Sequence, residues 1–169
     1  GDDFLYGGNG SDTLHGWNGT NLLDGGAGAD TLFGGPLNDL LYGGSGEDFI
    51  LGIDGNDSIW GGDGNDFING ILGNDSCFGG EGNDSITGND GNDIIMGDNG
   101  DDILWGDFGD DSLYGGAGND TLHGGPGLKY LDGGANDDLI FGERQDDLIQ
   151  GGDGHDVLVG IDGADTIYG

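Results

Sequence analysis

A flattened solenoid of parallel β-strands, 18 residues to the coil, is the fold that this 169-residue sequence predicts. Three observations predict it. Glycine stands at every ninth residue from Gly7 to Gly169, nineteen times without an insertion or deletion. The nine-residue copies follow the pattern G-G-x-G-x-D-x-U-x, with position 8 always Leu, Ile or Cys77 and position 6 Asp in 17 of 19 copies. Alternate copies differ systematically, so the structural unit is two copies long. Repetition at such a short period marks a stacked array, in which each unit buries its apolar side chains only against its neighbours.

The apolar position 8 lies between variable positions 7 and 9. That alternation makes each D-x-U-x stretch a short strand with one side chain pointing inward. The Gly-rich hexad before it reads as a turn. Helix is excluded, because a glycine at least every nine residues costs about 1 kcal/mol each relative to Ala, and a period of nine keeps no single helical face.

Copies that start at Gly7 and recur every 18 residues have regular hexads, such as GGNGSD, GGSGED and GGDGND, with Asp at position 6 throughout. Only Asp98 interrupts glycine at their position 2. Copies that start at Gly16 have irregular hexads, such as GWNGTN, GILGND and GERQDD, with glycine at position 2 only twice. A coil therefore holds two strands and two turns, with a sheet on each broad side, regular turns along one narrow edge and irregular turns along the other. Coils stacked about 4.8 Å apart make a rod roughly 45 Å long. Its core is two inward ladders: Leu14, Leu32, Ile50, Ile68, Ile86, Leu104, Leu122, Ile140 and Leu158 on one sheet; Leu5, Leu23, Leu41, Ile59, Cys77, Ile95, Leu113, Leu131, Ile149 and Ile167 on the other.

One core residue in nine is a thin source of stability for a chain with 45 glycines, the residue that loses most backbone entropy on folding. The charge adds to the problem: 34 acidic and 2 basic residues give a net −32, and a compact body of one sign repels itself. A bound cation would relieve both. Nucleic acid is excluded as a partner, since phosphate backbones require clustered Lys and Arg and the chain has only Lys129 and Arg144. Adsorption to anionic lipid fails for the same reason, and no 18-residue apolar run offers membrane insertion. Cys77 is single and falls at an apolar position, so it reads as a small buried hydrophobe and no disulfide staples the chain.

Stacking places each position-6 Asp about one strand spacing from the Asp 18 residues later, and two carboxylates that close cannot both stay charged without compensation. Calcium suits such a place. It is a hard cation that takes six to eight oxygens, and glycine-rich turns can aim carbonyls at it beside the carboxylates. Softer metals are disfavoured, since the turns offer neither Cys nor regular His.

These residues resemble the RTX, or hemolysin-type, calcium-binding family along the whole chain. The resemblance implies a right-handed parallel β-roll with calcium between successive turns of one edge, held by position-6 Asp carboxylates and carbonyls of the Gly-rich hexads. On the regular edge it points to Asp12, Asp30, Asp48, Asp66, Asp84, Asp102, Asp120, Asp138 and Asp156, nine turns with eight gaps. The glycines implied with them are Gly7, Gly10, Gly25, Gly28, Gly43, Gly46, Gly61, Gly64, Gly79, Gly82, Gly97, Gly100, Gly115, Gly118, Gly133, Gly151 and Gly154. On the irregular edge it points to Asp3, Asp39, Asp57, Asp75, Asp93, Asp111, Asp147 and Asp165, with Asn21 and Lys129 replacing Asp and spoiling the gaps on either side. Five gaps remain there, 39/57, 57/75, 75/93, 93/111 and 147/165. About eight ions on one edge and up to about five on the other would offset most of the charge. Loss of glycine at position 4 weakens the motif at Leu37, Asn136 and Gln145, least at Asn136, because Asn tolerates a left-handed backbone. Lys129 falls between Asp111 and Asp147, where its ammonium could take the place of a metal ion; the alternative is a decayed turn.

His15, His123 and His155 form no column and face no partnered nucleophile, so they read as surface variants, and the chain is not expected to be an enzyme. An outward stripe on the irregular sheet, including Tyr42, Trp60, Phe78, Met96 and Tyr114, would either dock a partner or stack its rings on one another. The chain begins and ends in mid-repeat without a capping element, so it reads as a single array over 1–169 cut from a longer protein, with end-to-end stacking or self-association left open. The function expected from the resemblance is a module that folds on calcium outside the cell, in a bacterial protein exported by type I secretion. The alternative is a segment of an extracellular fibre, adhesin or surface layer. Ice binding is disfavoured, because the best candidate column, Thr13, Thr31, Phe49, Phe67 and onward, breaks too often.

Overall fold

The computed structural model describes residues 1–169. It holds nineteen strands and no helix, from β1 (Phe4–Asn9) to β19 (Thr166–Tyr168). Odd-numbered strands build a 10-stranded sheet and even-numbered strands a 9-stranded sheet, each in chain order. Pairing is parallel with an 18-residue register, Leu5 opposite Leu23 in one sheet and Ile86 opposite Leu104 in the other. The 18-residue coil with two strands and two turns is thus the observed unit.

The strands are longer than the D-x-U-x stretches. A typical one, β10 (Ser85–Asp90), runs from position 7 of one copy through position 3 of the next. The hexad is therefore half strand, and the turn shrinks to its last three positions. The inward alternation continues through positions 6, 8 and 1, as in Asp84, Ile86 and Gly88, all buried. Position 1 has no side chain to reveal this. A Cβ on Gly25 would lie 2.6 Å from the Asp30 Oδ2 atom and 2.6 Å from the Gly43 carbonyl, so neighbouring coils leave no room for one.

Proline trims two strands on the irregular edge. β4 (Thr31–Gly35) ends just before Pro36, and β14 (Thr121–His123) ends two glycines before Pro126. Proline lacks the N–H that would extend the ladder.

Sixteen residues of the two expected ladders form one buried cluster, Cys77 among them, with Leu5 and Leu158 packed against it. Ile167 departs from expectation and is 45% exposed, because β19 has a strand on only one side. Outside the core, side chains repeat at the coil spacing and stack. The rings of Tyr42 and Trp60 are 4.8 Å apart and 15° from parallel, and those of Trp60 and Phe78 are 5.2 Å apart and 9° from parallel. His15 stacks on Phe33, and His123 stacks between Trp105 and Phe141. These rings use their faces on each other, which makes them cross-strand supports of the sheet.

The two edges also differ in backbone. On the regular edge, position-2 glycines such as Gly8, Gly44 and Gly62 have φ of 103°, 112° and 115°. On the irregular edge side chains sit at positive φ in the same place: Ile53 at 94°, Ile71 at 85° and Ile161 at 78°. A β-branched residue there is strained by about 1–2 kcal/mol. Glycine would relieve that strain but gain roughly 0.5–1 kcal/mol of unfolded-state entropy, so Ile71→Gly is expected to stabilise the roll slightly, by up to about 1 kcal/mol. Thermal unfolding at fixed calcium measures it, and a lowered midpoint would show that the Ile71 side chain contributes more than its backbone costs.

Candidate metal centre

The alternation that turns position 8 into the core turns position 6 inward at the ends of each strand. There the Asp carboxylates form two internal columns, one behind each row of turns. Asp66 is 3% exposed and Asp84 is 2% exposed. Their Oδ1 atoms carry the sheet through the turn. The Asp66 N–H donates to Asp84 Oδ1 at 2.8 Å, and the Asp84 N–H donates to Asp102 Oδ1 at 2.7 Å. This link repeats along both edges, from Asp12 to Asp30 on one and from Asp39 to Asp57 on the other.

The second oxygen is different. Oδ2 is buried and receives no hydrogen bond in thirteen of these residues. On the regular edge they are Asp12, Asp30, Asp48, Asp66, Asp84, Asp102, Asp120 and Asp138, the first Asp of each of the eight expected gaps. On the irregular edge they are Asp39, Asp57, Asp75, Asp93 and Asp147, the first Asp of each of the five expected gaps. Asp156 and Asp165 close the two columns and are partly exposed.

Burial pushes ten of these carboxyls far above the ordinary carboxylate range. Asp57, Asp84, Asp93 and Asp120 rise to about 7, through desolvation first and then repulsion from the carboxylates stacked on either side, against the stabilising backbone hydrogen bond. Asp48, Asp66, Asp75, Asp102, Asp138 and Asp147 rise to about 6, again chiefly through desolvation. A buried polar group without a partner costs about 1–3 kcal/mol. Thirteen such atoms outweigh the roughly 5–15 kcal/mol by which ordinary domains are stable. Ionised and alone, the columns would prevent this fold.

The two exceptions show what satisfies a column. Asn21 replaces a carboxylate with a neutral donor: its Nδ2 donates to Gly19 O at 2.9 Å and to Asp39 Oδ1 at 3.0 Å. Lys129 brings a cation. Its side chain is fully buried, and Nζ donates to Asp111 Oδ2 at 2.5 Å, Gly109 O at 2.6 Å, Asp107 O at 2.9 Å and Pro126 O at 3.1 Å. The ion-pair alternative for Lys129 is therefore the observed one, formed with Asp111, while Asp147 accepts only the Lys129 backbone N–H through Oδ1, at 2.9 Å.

In repeat terms the ammonium is surrounded by the position-2 and position-4 carbonyls and the position-6 carboxylate of one turn, and by the position-3 carbonyl of the next. Each turn carries carbonyls at the same three positions, so the other gaps have backbone oxygens available to a cation. The position-4 glycines Gly10, Gly28, Gly46, Gly64, Gly82, Gly100, Gly118 and Gly154 supply the bend, with φ between 110° and 158°. The position-1 glycines Gly7, Gly25, Gly43, Gly61, Gly79, Gly97, Gly115, Gly133 and Gly151 lie inside the strands against the Asp side chains. No three His, Cys, Asp or Glu side chains converge, so a cation here relies on backbone carbonyls, which suits a hard ion.

One set of supporting residues escapes sequence reasoning. Position 5 is often Asn or Asp, and its side chain accepts the N–H of the next coil's position 5, as Asn56 does from Asn74 at 2.8 Å and Asn83 does from Asp101 at 2.9 Å. Each turn is thus linked forward through position 5 and backward through position 6. The recurring N-D pair in hexads such as GGDGND is the signal, hidden by the ordinary preference of turns for Asn.

A family model for the RTX calcium-binding nonapeptide repeat, in four copies, matches residues 1–32, 24–52, 33–68, 42–77, 69–104, 96–127 and 132–167. No curated protein matches the chain.

Proposed function

The chain belongs to the RTX calcium-binding nonapeptide-repeat family, and from that premise we propose that it is the calcium-triggered folding module of a secreted bacterial protein. It is an unfolded polyanion where calcium is scarce and a rigid roll where calcium is near millimolar, the range in which extracellular calcium modules bind. The observation that supports this is the set of thirteen buried Asp Oδ2 atoms without a donor. Calcium supplies the positive charge that lets them stay ionised and buried. The residues that would hold it are the thirteen aspartates with the position-2 and position-4 carbonyls of their own turns and the position-3 carbonyls of the turns that follow. Because no such set exists in the unfolded chain, binding and folding are one event.

A chain that stays unfolded in the cell suits export through a narrow type I channel, with folding completed outside. Catalysis, nucleic acid and membrane insertion form no part of this role; no helix is long and apolar enough to cross a membrane. Limited proteolysis in calcium-buffered solution tests the reading. Cleavage throughout the chain at submicromolar calcium and resistance near millimolar calcium is the expected outcome. Resistance at both would leave the proposal without its trigger.

A further inference from the structure

Lys129 sits at position 6, in a turn whose neighbours along the irregular edge carry Asp. We propose that its ammonium is a resident cation, carried by the chain itself, that fills the 111/129 gap in place of calcium and makes the surrounding coils the segment from which the roll grows. The inference rests on the calcium reading above and goes beyond it by naming a gap that needs no calcium and a place where folding starts.

The geometry carries it. Four oxygens converge on Nζ: the carboxylate of Asp111, the carbonyls of Asp107 and Gly109 from the same turn, and the carbonyl of Pro126 from the next. Of the position-6 aspartates from Asp12 to Asp147, Asp111 alone has Oδ2 satisfied. An ammonium has three protons, which these four oxygens share, with the Pro126 carbonyl the most distant at 3.1 Å, so this cage is filled with no ion from solution. A tethered cation is also present at every calcium concentration, whereas a free ion contributes only as its concentration approaches its dissociation constant. The local turn is preset for it. Pro126 fixes one backbone dihedral, and a Cβ on Gly124 would lie 2.8 Å from Lys129 Cγ, so glycine there makes room for the lysine stem.

The adjoining coils are coupled to this cage through the backbone. Lys129 N–H donates to Asp147 Oδ1, and Tyr130 N–H donates to the Asp111 carbonyl. In a repeat array, stability passes between nearest neighbours, so a satisfied gap lowers the calcium needed by the gaps beside it.

Two measurements test this. Hydrogen exchange of the intact chain at calcium just below the folding midpoint is expected to show protection concentrated over residues 103–150, and Lys129→Met is expected to reduce that protection by roughly tenfold or more. Uniform protection along the chain, or protection that Lys129→Met leaves unchanged, overturns the proposal. Isothermal titration then compares Lys129→Asp with the natural chain. Restoring Asp to the column is expected to increase the calcium bound per chain. If the natural chain binds calcium and folds while Lys129→Asp binds no more, the resident-cation proposal alone falls. If the natural chain binds no calcium, the reading beneath it falls as well.

Discussion

Acidifying the calcium-free chain from about pH 8 to about pH 5 is expected to convert it from coil to β-roll, with no metal added. Ten of the position-6 carboxyls of the fold titrate at about 6 to 7, as with Asp84 and Asp120 near 7 and Asp102 near 6. In the unfolded chain the same groups titrate near 3.9. A carboxyl whose folded value lies above its unfolded value opposes folding at every pH above the folded value. That opposition fades as pH falls through about 7 and 6, and it is gone below the unfolded value. Protonation also lowers the net charge from −32, which relieves self-repulsion. Circular dichroism in calcium-depleted buffer reads the transition, and a coil spectrum at both pH values contradicts it. With calcium present the same protons compete with it for the folded carboxylates, so the calcium concentration that half-saturates the roll rises as pH falls from about 7 to about 5.

Asp84→Ala is the substitution expected to cost most, about 3–5 kcal/mol at fixed calcium. It removes a carboxylate from the middle of the regular column and leaves the Asp66 N–H, which Asp84 Oδ1 accepts at 2.8 Å, buried without an acceptor. Asn21→Ala is expected to cost roughly a third as much, because it removes no carboxylate from a column and the N–H that loses its acceptor belongs to Asp3, an exposed residue at the end of the roll. Denaturant unfolding at fixed calcium is the suitable measurement. The calcium midpoint itself is expected to move only about twofold for Asp84→Ala, since a loss shared over the dozen or so coupled ions proposed for the two columns requires little extra concentration of each. Equal costs for the two substitutions would contradict the difference between the edges.

The fold was legible because its two controlling signals survive in every copy. Glycine at position 1 and an apolar residue at position 8 recur without a slip, and separating alternate copies yields the observed pairing of Leu5 with Leu23 and Ile86 with Leu104. The length of the strands was not legible, since the third inward position is glycine and leaves no mark. Ile53, Ile71 and Ile161 likewise disguise backbone that glycine would announce.

The candidate site divides along the same line. Its carboxylates have letters, so the columns through Asp12–Asp138 and Asp39–Asp93 could be read directly, and Lys129 stood out by occupying one of those letters. The carbonyls around the Lys129 ammonium belong to Asp107, Gly109 and Pro126, three unrelated residue types. A backbone ligand leaves no trace in residue type, so those positions emerge only from the folded turn.

The most direct test of the coupling between the carboxylate columns and calcium is a single calcium titration at neutral pH, followed at once by circular dichroism and by bound calcium. The two curves are expected to superimpose in one steep transition that chelator reverses completely. A β-sheet spectrum that persists in chelator, or calcium binding that saturates before any sheet forms, would contradict it.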